Sequence, residues 1–131
     1  MAPASTAFGL SRIGQIAVTA RDLERAVAFY RDVLGMPFLF RAPNLAFFDC
    51  AGVRLMLSTP EGPRFDHPAS VIYYAVDDLP VAHATLRERG VTFLDAPHLI
   101  ARMPDHELWM AFCKDSEGNT LGLMSEVRQG G

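Results

Sequence analysis

The sequence predicts an α+β fold of two tandem β-α-β-β-β modules forming a curved sheet cleft. Three observations predict it. The stretch "ARDLERAVAFYRDVLG", residues 20–35, spells an amphipathic helix with start and stop signals, and "VDDLPVAHATLRERG", from Val76, spells it again. Each helix follows one strand-like segment and precedes three more. The offset between matching residues only grows along the chain, as it does when loops lengthen between two copies of one unit.

The first strand is read in "RIGQIAVT". Asp22 then suits a helix cap, its carboxylate accepting from an otherwise unpaired backbone N–H. Leu23, Ala26, Val27, Tyr30 and Leu34 recur on one helical face, and Gly35 permits the left-handed turn that ends it. "FLFRAPNLAFF" reads as two strands about a proline turn, and "AGVRLML" as the last strand of the first half. In the second half "SVIYYAV" is the opening strand, Asp78 the cap, Pro80 a first-turn residue and Gly90 the stop. "LIARMPDHELWMAF" and "EGNTLGLM" supply the remaining strands. Asp22 matches Asp78, Arg41 matches Arg102, Ala46 matches Ala111 and Gly52 matches Gly118, at offsets rising from 56 to 66. The chain, 1–131, is read as a single domain: module one about 12–59, a linker about 60–69 within "TPEGPRFDHP", and module two about 70–126. One helix covers one face of each sheet, and a second copy is expected to cover the other.

Net charge is −3, the pI is near 5.7, and 50% of the residues are hydrophobic. A nucleic-acid binder needs a basic stripe for phosphate contacts, which this balance excludes. No apolar run approaches the ~20 residues of a membrane span. "MAPASTAFGLSR" lacks a basic n-region and an apolar h-region, so a cytoplasmic location is expected, with Cys50 and Cys113 as buried free thiols.

The paired modules, the "DLERAVAFYRDVLGM" helix and the "KDSEGNTLGLM" tail resemble the vicinal oxygen chelate superfamily of glyoxalases, bleomycin-resistance proteins and dioxygenases. The resemblance covers residues 12 to 126. In that group a divalent metal in the cleft chelates two substrate oxygens and stabilises the charge that develops on them. Its four ligand positions, carried onto this chain, fall on Gln15 in "IGQIAV", Met56 in "RLMLS", Val71 in "SVIYY" and Gly122 in "TLGLM". Only Gln15 has a donor side chain, and a shift of one residue places Leu55, Leu57, Ser70, Ile72, Leu121 or Leu123 at the others. A divalent metal needs several N or O ligands, so no metal and no cofactor are expected.

Strand alternation puts Ala17, Arg54, Ser58, Tyr73, Thr120 and Met124 on the face of those four positions. Arg54 suits an anionic ligand through paired hydrogen bonds, or else a strand-end role with its stem over apolar surface. The second hairpin exceeds the first by about "HELW", His106 to Trp109, read as an insertion. It brings a titratable imidazole, the weak catalytic candidate, and the chain's one tryptophan, expected in the cleft wall. His83, His67 and His98 are weaker: a half-buried helix residue, a linker residue, and one at the cleft mouth. "DSEGN" is read as a turn with Gly118 and Asn119 at positive φ.

The expected ligand set is therefore Gln15, Arg54, Met56, Val71, Tyr73, His106, Trp109, Gly122 and Met124, holding a small apolar or aromatic molecule with or without a negative charge. A homodimer is expected, by analogy with the superfamily and from the sheet edges. Two alternatives stay open. One is an enzyme (lyase, isomerase, dioxygenase or resistance transferase) with displaced metal ligands or metal-free His106 or Arg54 chemistry. The other is a protein-interaction module.

Overall fold

The computed structural model of the chain describes residues 8–60 and 70–128. Along them run β1 (Gln15–Thr19), α1 (Leu23–Ala28), β2 (Phe38–Ala42), β3 (Leu45–Cys50), β4 (Val53–Ser58), β5 (Ile72–Ala75), α2 (Leu79–Glu88), β6 (His98–Arg102), β7 (His106–Lys114) and β8 (Thr120–Arg128). One sheet has the order β1-β4-β3-β2 and the other β5-β8-β7-β6, so one topology appears twice. In each sheet the first strand runs parallel to the last, Gln15 beside Arg54 and Tyr73 beside Gly122. Parallel pairing needs a long crossover, and the helix-containing connection provides it. The fold class is α+β. Residues 61–69, most of the linker and His67 with it, lie outside the described residues.

Both caps form. Asp22 Oδ1 accepts from Arg25 N (3.1 Å) and Asp78 Oδ1 from Val81 N (3.2 Å). Gly35 (φ +73) and Gly90 (φ +91) carry the chain out of the helices through the left-handed region. The periodicity predicts one continuous helix, but the first helix is not α-helical throughout. After Ala28 it widens into a π-helical turn, Phe29–Val33, where Leu34 N donates to Phe29 O (3.0 Å). The wider turn leaves Leu34 partly buried, while Leu23, Ala26, Val27 and Tyr30 are buried.

Each core lies on the helical side of its sheet. Val18, Ala46, Phe48, Leu55 and Leu57 pack with α1, and Ala111 and Leu123 pack with Leu79 of α2. The two cores are continuous. Ile72 and Tyr74 of β5 pack against the first, and Phe29, Val33 and Leu34 pack against Val91, Cys113 and Leu121 of the second. Module two thus shares the helical side of module one and does not cover its other face, which corrects the expected arrangement. Gln15, Ala17, Arg54, Val71 and Tyr73 are exposed on the open faces. Both cysteines are free; Cys113 is buried and Cys50 only partly so.

A polar joint ties the modules together. Asp115, 7% exposed, accepts from Tyr30 Oη (2.7 Å), Glu117 N and Asn119 N (2.8 Å each) and Asn119 Nδ2 (2.9 Å). Glu117 Oε1 accepts from the backbone N–H groups of Arg21 (2.8 Å) and Asp22 (3.1 Å), and its Oε2 from Arg25 Nη2 (2.8 Å). Asn119 Nδ2 also donates to Thr19 O (3.2 Å). "DSEGN" is the expected turn, with one difference. Gly118 has positive φ (+83) and Asn119 does not; its amide is used for bonding across the joint instead.

Candidate functional site

The open face of the first sheet is built in rows across its strands. Gln15 of β1 stands beside Arg54 of β4, and Met56 lies between Ala17 and Phe47. Gln15 Oε1 accepts from Arg54 Nε (2.8 Å), and Gln15 Nε2 donates to Met56 Sδ (3.6 Å). The Arg54 guanidinium sits 5.6 Å from the centre of the Phe47 ring, within cation–π range. Phe40 stacks on Phe47 at 4.6 Å and is half exposed. Arg54 is therefore held through its Nε and over a ring.

The second sheet's open face carries Tyr73, Gly122 and Phe112 in one row, with Met124 and Met110 in the next. Gly122 has a steric reason. A Cβ there would lie 2.6 Å from Tyr73 Cδ2 and 3.3 Å from Phe112 Cε1, so its absence lets the tyrosine ring rest on the backbone of β8. Tyr73 and Phe112 meet edge to face at 5.8 Å. Gly122, expected in the ligand set, is covered by the Tyr73 ring. Val71 lies just ahead of β5 and is 42% exposed.

"HELW" is not a loop insertion. These residues begin β7 and pair with β6 and with a β8 that runs on to Arg128. Alternation then decides their faces. His106 shares the open face with Met110 and Phe112, but six residues from Phe112 along the strand, about 20 Å at strand rise. The structure does not bring it to the Tyr73 row. Its Nδ1 bonds Asp105 Oδ1 (2.7 Å), which holds the Asp105 carboxyl below the usual range, and its Nε2 lies 3.9 Å from Glu126. Trp109 faces the other way. It packs with Leu79, Ala111 and Leu123 on the helical side, and Nε1 donates to Glu107 Oε1 (3.1 Å). Its expected place in the cleft wall is corrected: in β7 it alternates with Met110, and it shares a face with Ala111 and the buried Cys113. Counting back in twos from Cys113 would have found this. His83 is a packing residue, 4.4 Å from the Phe93 ring. His98 opens β6 beside Met110 and bonds Ala96 O (2.9 Å).

At the four positions where the sequence resemblance leads one to expect metal ligands, the side chains present do not fit a divalent cation. Met, Val and Gly offer no hard donor there, and both ends of the Gln15 amide are engaged within the protein. Among the described residues no three or more His, Cys, Asp or Glu are grouped to hold a metal, and no helix is long and apolar enough to cross a membrane.

Comparison with known proteins accords with this architecture. An antibiotic-binding protein from Streptomyces sp. CB03234, TnmS3, is 26% identical, with a TM-score of 0.71 over 92% of this chain and 99% of its own. A lactoylglutathione lyase from Agrobacterium tumefaciens is 25% identical, with a TM-score of 0.71 over 89% of this chain and 95% of its own. A superfamily member from Sphaerobacter thermophilus shares the fold at 23% identity, with a TM-score of 0.74 over 89% and 98% of the two chains. A family model described as Glyoxalase/Bleomycin resistance protein/Dioxygenase superfamily matches residues 12–123. The chain belongs to that superfamily.

Proposed function

We propose that this protein binds a small apolar or aromatic molecule on the open faces of its two sheets, without a metal ion, as a cytoplasmic homodimer. One observation supports the reading: Met56 and Gly122, two of the positions to which the sequence resemblance assigns metal ligands, lie in rows with Phe47, Tyr73 and Phe112, with Phe40 stacked on Phe47 and Val71 exposed just ahead of Tyr73. These surfaces suit an apolar body. Burying an aromatic ring of ~150 Å² against them would yield roughly 4 kcal/mol at 25 cal/mol per Å², before the costs of ordering. Arg54 supplies the polar handle, suited to a carboxylate or another anionic group. The similarity to an antibiotic-binding protein supports the same direction.

Native mass spectrometry on protein purified without a metal-binding tag tests the reading. Together with calorimetry against a library of small aromatic acids, it is expected to give less than one metal per two chains, a dimer, and saturable binding that Arg54→Ala and Tyr73→Ala weaken. One metal per chain, removed by chelator with loss of thermal stability, would favour a metalloenzyme. Binding by no compound in the library would favour an interaction module.

A further inference from the structure

The residues that lengthen β7 border a cavity on the side of the sheet away from the open face. β7 and β8 continue past the sheet core to His106 and Arg128, whereas in module one the corresponding pair ends at Leu45 and Ser58. Between this overhang and the turn leading into α2 lies a cavity of ≈ 550 Å³. Small-molecule sites span about 300–1,000 Å³. Trp109 and Val127 line it from the strands, and Asp77 and Asp78 from the turn, with Glu107 beside the indole. Among the described residues, the lining includes no Lys or Arg. The guanidinium beside Glu107 is that of Arg102, whose Nε already bonds Glu107 Oε2 (3.2 Å).

We infer that this cavity binds a small organic cation with an apolar body, an amine or quaternary ammonium, seated on the Trp109 ring among three carboxylates. The indole N–H is spent on Glu107, so what the ring offers a ligand is its π surface. A cation over an indole face is attracted by the ring quadrupole, and indole is the strongest of the aromatic side chains in this respect. The hydrogen bonds from Trp109 and Arg102 hold the Glu107 carboxyl below the usual range, so the negative charge persists well into acid. The positive N-terminus of α2 also borders the cavity, but the Asp78 carboxylate caps it by accepting from Val81 N. Val127, 48% exposed, and Pro80 add apolar surface for the ligand body. This site is independent of the open-face reading, since no residue is shared.

The chain has one tryptophan, so its fluorescence reports on this cavity alone. Benzyltrimethylammonium chloride, titrated into the full chain at low salt, is expected to quench emission saturably and independently of protein concentration. Benzyl alcohol and benzoate should bind at least roughly tenfold more weakly, for want of the cation–π and ionic attraction. The double variant Asp77→Asn/Asp78→Asn should weaken binding by about fivefold, while its melting curve stays close to wild type because Asn caps helices as well as Asp. Trp109→Phe, followed by calorimetry, should weaken it too. The proposal is overturned by quenching that stays linear, by an equal response to benzyl alcohol, or by unchanged affinity in the double variant.

Discussion

The same chemical change at two buried tyrosines should move stability in opposite directions. Tyr30 and Tyr74 both lie where the module cores meet, but Tyr30 Oη donates to Asp115 Oδ2 at 2.7 Å, whereas Tyr74 Oη is buried with no hydrogen-bond partner among the described residues. A hydrogen bond to a charged group is worth about 1.5–3 kcal/mol net. Tyr30→Phe removes one and leaves Asp115 Oδ2 with Asn119 Nδ2 as its remaining side-chain donor. The expected loss is ~2 kcal/mol, which for a domain of this size lowers Tm by roughly 6–10 °C. Tyr74→Phe deletes an oxygen that was desolvated without compensation, so it should be neutral or stabilising by up to ~1 kcal/mol. Urea unfolding followed by circular dichroism measures both, with an unchanged m-value as evidence that the folded state is intact. Adding Asp115→Asn to Tyr30→Phe should cost less than the sum of the single changes, since the two residues share one bond. Equal destabilisation by the two Phe variants, or a Tyr30→Phe loss below ~0.5 kcal/mol, would refute the assignment of that hydroxyl as the anchor of the joint.

The buried acids of this region predict an alkaline limit. Burial and the Asp115 charge push the Cys113 thiol from 9.0 up to about 11, and burial raises Tyr30 and Tyr74 above the ordinary phenol range. All three keep their protons longer when folded, so the unfolded chain releases them first. Stability should be flat below about pH 8 and fall as pH rises through 9 to 11, which thermal melts across that range would show; Cys113→Ala should flatten part of the fall. Gly122→Ala places a methyl group against Tyr73. Because that ring is half exposed, its displacement is expected to cost about 1 kcal/mol of stability and to alter open-face binding. Comparing unfolding with calorimetry separates the two effects.

Much of this architecture is written in local signals. Asp22, Asp78, Gly35 and Gly90 bound the helices because caps and left-handed turns depend on a residue or two, and strand alternation puts Arg54 and Met56 on the open face of one sheet and Tyr73 and Met124 on that of the other. The misreadings arose where the outcome depends on distant partners. "HELW" looked like an insertion because its pairing partner, the far end of β8, has no counterpart in module one. That mistake hid both the inward turn of Trp109 and the distance of His106 from the Tyr73 row. The π-helical turn, and the joining of modules through their helical sides, are set by packing between halves and leave no mark in periodicity.

The turn before β8 has a consequence for how the chain folds. The donors it satisfies belong to the start of α1: Arg21 N and Asp22 N reach Glu117 across 96 and 95 residues, and Tyr30 reaches Asp115 across 85. Closing a loop of this length carries a large entropic cost before any contact repays it, and such non-local contacts slow folding. These three donors can therefore gain these partners only after the turn that carries Asp115 and Glu117 has been synthesised. Until then two backbone donors and one tyrosine hydroxyl of the first half lack the partners that the native joint gives them. Although the repeat looks like two self-sufficient units, the second supplies acceptors on which donors of the first depend.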